Sequence, residues 1–191
     1  MFFKEKNKPR LYFAVGKETG PTGGQSNPFR WMFLIGPKNE DKDTHSTTPG
    51  TRFTLGLNGA VEETHVYDLK RDEPFLARFM ISKIRDMEQV KRAIFGAASN
   101  KRNFDWTSQD WFQAVLGRLE PLCGRTMALS CNTKLDWDYI YVVVIDYLRM
   151  KARTHVLKMV NNEEYEVEDA WPDKPRPTWN LLECGEIYNG E

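Results

Sequence analysis

Strands come first in this chain and helices follow, an order that predicts an α+β fold: an antiparallel sheet followed by packed helices. Three observations carry it. Short aromatic and β-branched runs bounded by Gly, Pro or Asn fill the N-terminal part, and apolar residues recur at helical spacing from Met87 onward. The 191 residues, 40% hydrophobic and 13% aromatic, suit one domain with a sizeable core.

Leu11 to Val15, Trp31 to Ile35, Arg52 to Leu57 and Val61 to Tyr67 read as strands. Gly16 to Pro28 and Lys38 to Gly50 are polar, turn-rich connections expected at the rim. Leu76 to Ile84 fits either a helix or a strand, and the alternation of Ala77, Phe79 and Ile81 tips it to a strand. Val90, Ile94 and Phe95 then mark a helix from Met87 to near Gly96. Thr107 with Asp110 has the spacing of a capping box for a helix running to Leu119, before Pro121. A last helix, Trp137 to Arg153, turns Ile140, Val144, Tyr147 and Leu148 to the core and gathers Arg149, Lys151 and Arg153 at its C-terminal end, where the dipole favours cations.

Lys+Arg and Asp+Glu are equal at 27 each, but residues 161–191 hold nine acids and two bases. The chain therefore divides into a domain over 1–160 and an acidic Trp- and Pro-containing C-terminal tail over 161–191, expected to be solvated. Absence of a basic stripe with interleaved aromatics speaks against nucleic acid as a partner. No run approaches the roughly 20 apolar residues of a membrane span, so neither membrane association nor a leader is expected, and a cytoplasmic setting is the default. Cys123, Cys131 and Cys184 form no CxxC pair and are expected as free thiols. His45, His65 and His155 lack ligand spacing, so no metal is expected, and neither GxGxxG nor GxxxxGK[ST] occurs, so no cofactor is expected.

Two stretches are more specific when taken together. Phe29-Arg30-Trp31-Met32-Phe33-Leu34-Ile35-Gly36-Pro37-Lys38 is followed by Gly50-Thr51-Arg52-Phe53, and later comes Trp106-Thr107-Ser108-Gln109-Asp110-Trp111-Phe112. This pattern resembles a family of small uncharacterised fungal proteins, which is similar in turn to circularly permuted papain-like folds of the NlpC and lecithin-retinol-acyltransferase type. The resemblance spans about Leu11 to Arg153. It implies a papain-like single domain whose site lies between the Trp31 strand and the helix that opens at Ser108. In such folds a strand His is the base and a Cys at a helix N-terminus is the nucleophile. Trp31, Leu34, Gly36, Pro37, Lys38, Gly50, Arg52, Trp106 and Trp111 match the frame, whereas Arg30 stands at the His position, Ser108 at the Cys position and Thr54 at a polar position on the next strand.

Those replacements change the chemistry that is available. A helix N-terminus supplies roughly half a positive charge and activates a thiol beside a His, but serine is a weak nucleophile and Arg no base near pH 7. Arg30, Ser108, Thr54 and the helix N–H groups would instead make a receptor for a carboxylate or phosphate. Trp31 and Trp106 would form an apolar wall, Asp110 and Glu62 would contact the substrate, and Asp110, Glu62 or Glu63 would supply the base if Ser108 were the nucleophile. The preferred reading is a divergent enzyme of fungal specialised metabolism, performing acyl transfer, condensation or cyclisation on a small anionic or amino-acid-derived molecule with Ser108, Arg30 and Thr54 as its catalytic groups. The alternative is a pseudoenzyme that holds a small anion or peptide in a decayed cleft. A third makes the acidic tail a docking arm for a basic partner.

Overall fold

In the computed structural model the described residues are 8–17, 29–37, 47–71, 75–98, 106–124, 126–131, 135–154, 157–161, 164–167, 178–181 and 185–187. The elements run β1 (Arg10–Lys17), β2 (Phe29–Gly36), β3 (Gly50–Leu55), β4 (Val61–Val66), β5 (Ala77–Lys83), α1 (Met87–Ala98), α2 (Ser108–Leu119), a 3-10 turn (Glu120–Leu122), α3 (Trp137–Arg153), β6 (Leu157–Asn161), β7 (Glu164–Val167), β8 (Thr178–Asn180) and β9 (Gly185–Ile187). The expected strands and the three helices are present in a single mixed α+β domain, but four further strands follow α3, and the parallel pairing of β8 with β5 means that the sheet is not wholly antiparallel. The rim connections fall largely on residues 18–28 and 38–46, outside the described residues, as do His45, His155, Cys184 and Trp171.

The main sheet has the order β4-β3-β2-β1-β5-β8-β9, and β6 with β7 forms a separate hairpin. β1 to β4 make an antiparallel meander, and β5 comes back to the other side of β1. The β3–β4 reversal closes through Gly56 and Ala60, with Gly59 at φ +73°, a conformation that a side chain disfavours. Strand alternation gives the sheet two unlike faces. Leu11, Phe13, Val15, Phe29, Trp31, Phe33, Phe53 and Phe79 share one buried cluster with residues of all three helices, including Val90, Trp111, Phe112, Ile140 and Leu148. Tyr12, Ala14, Met32, Leu34 and Met80 form a smaller cluster on the opposite face with Leu69 and Phe75 of the β4–β5 connection.

Aromatic rings dominate the helix side. Phe13 stacks on Phe79 with centroids 4.7 Å apart, and Phe33 stacks on Phe112 at the same separation. Trp31 is fully buried, with Phe112 at 4.9 Å and Trp137 of α3 at 4.8 Å. The strand that carries Trp31 is thereby locked to α2 and α3 together.

Two expectations are corrected here. The first is the tail boundary at residue 160. β8 lies parallel to β5, with Arg78, Phe79 and Met80 opposite Thr178, Trp179 and Asn180. The Arg78 Nε–H donates to the Thr178 hydroxyl at 2.6 Å, with Arg78 only 1% exposed, and Trp179 packs on Tyr147 at 5.2 Å. Acidic composition marks this segment as soluble, yet its buried partners lie 100 residues away, and only the fold brings them together. The second concerns the cysteines: Cys123 and Cys131 form a disulfide. Cys123 bridges to Leu129 beside the 3-10 turn, and this brings the two Cα atoms to 5.3 Å, within disulfide reach. Cys123 and Cys131 are thus not the free thiols expected. Among the described residues no helix is long and apolar enough to cross a membrane.

Candidate functional site

The site indicated by the sequence lies where the sheet forks. β2 and β3 pair only from Phe33 opposite Phe53 to Ile35 opposite Thr51. β3 nonetheless stays with β4 as far as Leu55 opposite Val61, so Thr54 and Leu55 lose contact with the ladder of β2. The outer edge of Phe29 to Met32 is left without a neighbouring strand, and the N-terminus of α2 fills that place.

Ser108 does the filling. The Trp31 backbone N–H donates to the Ser108 Oγ at 3.1 Å, and the Ser108 hydroxyl points back to the Phe29 carbonyl at 3.5 Å. A neighbouring strand would meet these two backbone groups with a carbonyl and an N–H of its own, and here a single hydroxyl meets both. Thr107, not Ser108, caps the helix. The Asp110 N–H donates to the Thr107 hydroxyl at 3.2 Å, while Asp110 Oδ2 accepts from the Thr107 N–H at 3.0 Å and from its hydroxyl at 2.7 Å. The capping box expected from the spacing is complete.

The seven candidate residues divide between the two faces. Arg30 lies between Phe29 and Trp31, both directed to the helices, so its side chain leaves the opposite face. Thr54 and Glu62 pair across β3 and β4 and share that opposite face, since the next pair, Phe53 and Glu63, sits on the helix side, where Glu63 binds Lys91 of α1. Ser108, Asp110, Trp31 and Trp106 belong to the helix side. Arg30 and Ser108 are nevertheless neighbours in the backbone, because the hydroxyl bonds the residues on either side of Arg30.

Several assigned roles need correction. Trp31 is 0% exposed and cannot wall an open cleft; it is the centre of the aromatic core. Its indole N–H has no hydrogen-bond partner among the described residues, and neither has that of buried Trp111. Trp106 is partly buried against the same cluster. Asp110 is committed to the cap and is no base for Ser108, whose proton is directed at a carbonyl. Glu62 folds over the β3–β4 turn, where a Cβ at Gly56 would collide with its carboxylate. Thr54 is 7% exposed. Arg30 is half-buried, and its guanidinium has no hydrogen bond or ion pair among the described residues. A group of three His, Cys, Asp or Glu suited to a metal is absent among the described residues.

On the face opposite α2, the Arg30 guanidinium, uncommitted among the described residues, is the group of the fork that can attract negative charge, with the Thr54 hydroxyl on the same face. Among the described residues no side-chain base accepts from Ser108, whose hydroxyl is directed at the Phe29 carbonyl.

A family model, a family of unknown function (DUF6914), matches residues 8–188. The chain belongs to that family. Its span includes β8 and β9, in keeping with a fold that needs the C-terminal segment. Comparison with curated proteins gives no match, and comparison with solved structures gives none.

Sequence reasoning missed the Thr178 partner of Arg78, the disulfide, and a groove between α1 and α2. Gly96 and Gly117 inside helical patterns were the signal for the groove, since each costs about 1 kcal/mol relative to Ala there and so calls for a reason.

Proposed function

We propose that this member of the family is a papain-like binding module in which Arg30 holds a small anion, a carboxylate or phosphate, at the fork of β2 and β3. Ser108 serves the fold there. The observation that carries the reading is that the Ser108 hydroxyl accepts from the Trp31 N–H and donates to the Phe29 carbonyl, so it is used on both sides of an Arg30 that is uncommitted among the described residues. An antiparallel meander followed by helices, with a helix N-terminus meeting the Trp31 strand, supports the papain-like assignment. Acyl transfer, condensation or cyclisation through Ser108 would need a base at its hydroxyl and release from the backbone, and Asp110, the acid nearest in sequence, is bound to Thr107.

Titrating the protein with acetate and with inorganic phosphate, followed by amide chemical shifts, tests this. Saturable shifts at Arg30, Trp31 and Ser108 are expected, weakened at least tenfold in Arg30→Ala. Equal binding by Arg30→Ala rejects the receptor reading. A product formed from a host metabolite extract by wild type and not by Ser108→Ala would restore the enzyme.

A further inference from the structure

The other end of α2 meets α1 in an open groove of about 620 Å³, lined by Arg92, Ala93, Gly117, Arg118, Pro121 and Leu122. That volume lies within the range of small-molecule sites, about 300–1,000 Å³. We infer that this groove binds a small carboxylate with an apolar tail, its head group on the guanidinium groups of Arg92 and Arg118 and its tail along Ala93 and Leu122.

Gly117 is the first support. A Cβ built there would meet no atom within 4 Å, so packing does not require a glycine, and a helix interior disfavours one. What the glycine does is leave room. Gly96 acts differently: a Cβ there would lie 2.9 Å from Arg118 Nη1, so the missing side chain lets the Arg118 guanidinium settle against α1. One glycine makes the space and the other sets a cation beside it.

Charge is the second support. The lining contains two arginines and no carboxylate. Arg92 spends only its Nε–H, on the Glu88 carbonyl at 3.4 Å, and the terminal amino groups of both arginines have no hydrogen-bond partner among the described residues. A guanidinium presents the planar fork that the two oxygens of a carboxylate fit, and the groove has one on α1 and one on α2. Gln89 also lines the groove, and its side chain donates to Asp86 Oδ2 at 2.8 Å. Asp86 accepts the Gln89 backbone N–H as well, at 3.0 Å, and that bond holds its carboxyl below the ordinary value. It therefore stays anionic on the Arg92 side, which makes Arg118 the stronger anchor. Ala93, Leu122 and Pro121 complete a floor that suits methylene groups and would bind a bare inorganic ion less well.

None of the fork residues takes part. The two places lie at opposite ends of α2, whose 12 residues span about 18 Å. Octanoate is the probe, titrated against the full chain with amide shifts as readout. Saturable movement of the Ala93, Gly117 and Leu122 amides is expected, with affinity at least tenfold lower in Arg118→Ala and in Gly117→Leu. Gly117→Leu fills the groove with a better helix former, so its melting temperature should equal or exceed that of wild type. Arg30→Ala should bind octanoate at the groove unchanged. Amides of the groove that do not move, a Gly117→Leu variant that binds like wild type, or octan-1-ol that binds as tightly as octanoate would each overturn the proposal.

Discussion

The two ends of α2 put polar residues to opposite uses. At the N-terminal end every polar side chain whose bonding is defined answers a backbone need: Thr107 and Asp110 cap each other's amides, and Ser108 completes the ladder of β2. At the C-terminal end Gly117 leaves a space that no atom fills, and Arg118 lies over α1 with its charge uncommitted among the described residues. A nucleophile-like residue type at a helix start is thus no guide to reactivity. What matters is whether the main chain has already claimed its hydrogen bonds.

Substitutions at the two ends should differ in sign. Trp31→Ala removes the ring that joins β2 to α2 and α3, and should cost about 3–5 kcal/mol in urea unfolding. Ser108→Ala should cost about 1–3 kcal/mol by orphaning the Trp31 N–H; a loss near zero would mean that the fork is held by something other than this hydroxyl. Thr107→Ala loses the cap and should cost about 1 kcal/mol in the same measurement. Gly117→Ala, at the other end, should raise stability by up to about 1 kcal/mol, since nothing obstructs the added methyl group. Destabilisation there would show that the groove is packed and would undo the contrast.

Local features were legible in the sequence. The Thr107–Asp110 box, α3 from Trp137 to Arg153 and the strand over Ala77–Lys83 depend on periodicity and on contacts three or four residues apart. Features that depend on register were not. Arg30 faces away from Trp31 by strand alternation alone, but that Thr54 shares the face of Arg30 follows only once Phe33 is set opposite Phe53, and the fork exists because β3 follows β4 rather than β2 beyond that pair. Placement of Thr178 beside Arg78 spans 100 residues and a parallel pairing, and the acidic residues of the same segment carry no sign of it. Trp31 matched the resemblance but could not be told from a cleft wall, because the sequence does not show that Phe112, Trp137 and Tyr141 surround it.

The central claim is that the Ser108 hydroxyl is a structural bond and not a nucleophile. Intact-mass measurement after treatment with a fluorophosphonate, a reagent that esterifies activated serines, tests it most directly. The account predicts an unchanged mass for wild type. A single adduct mapped to Ser108 and absent from Ser108→Ala would contradict it.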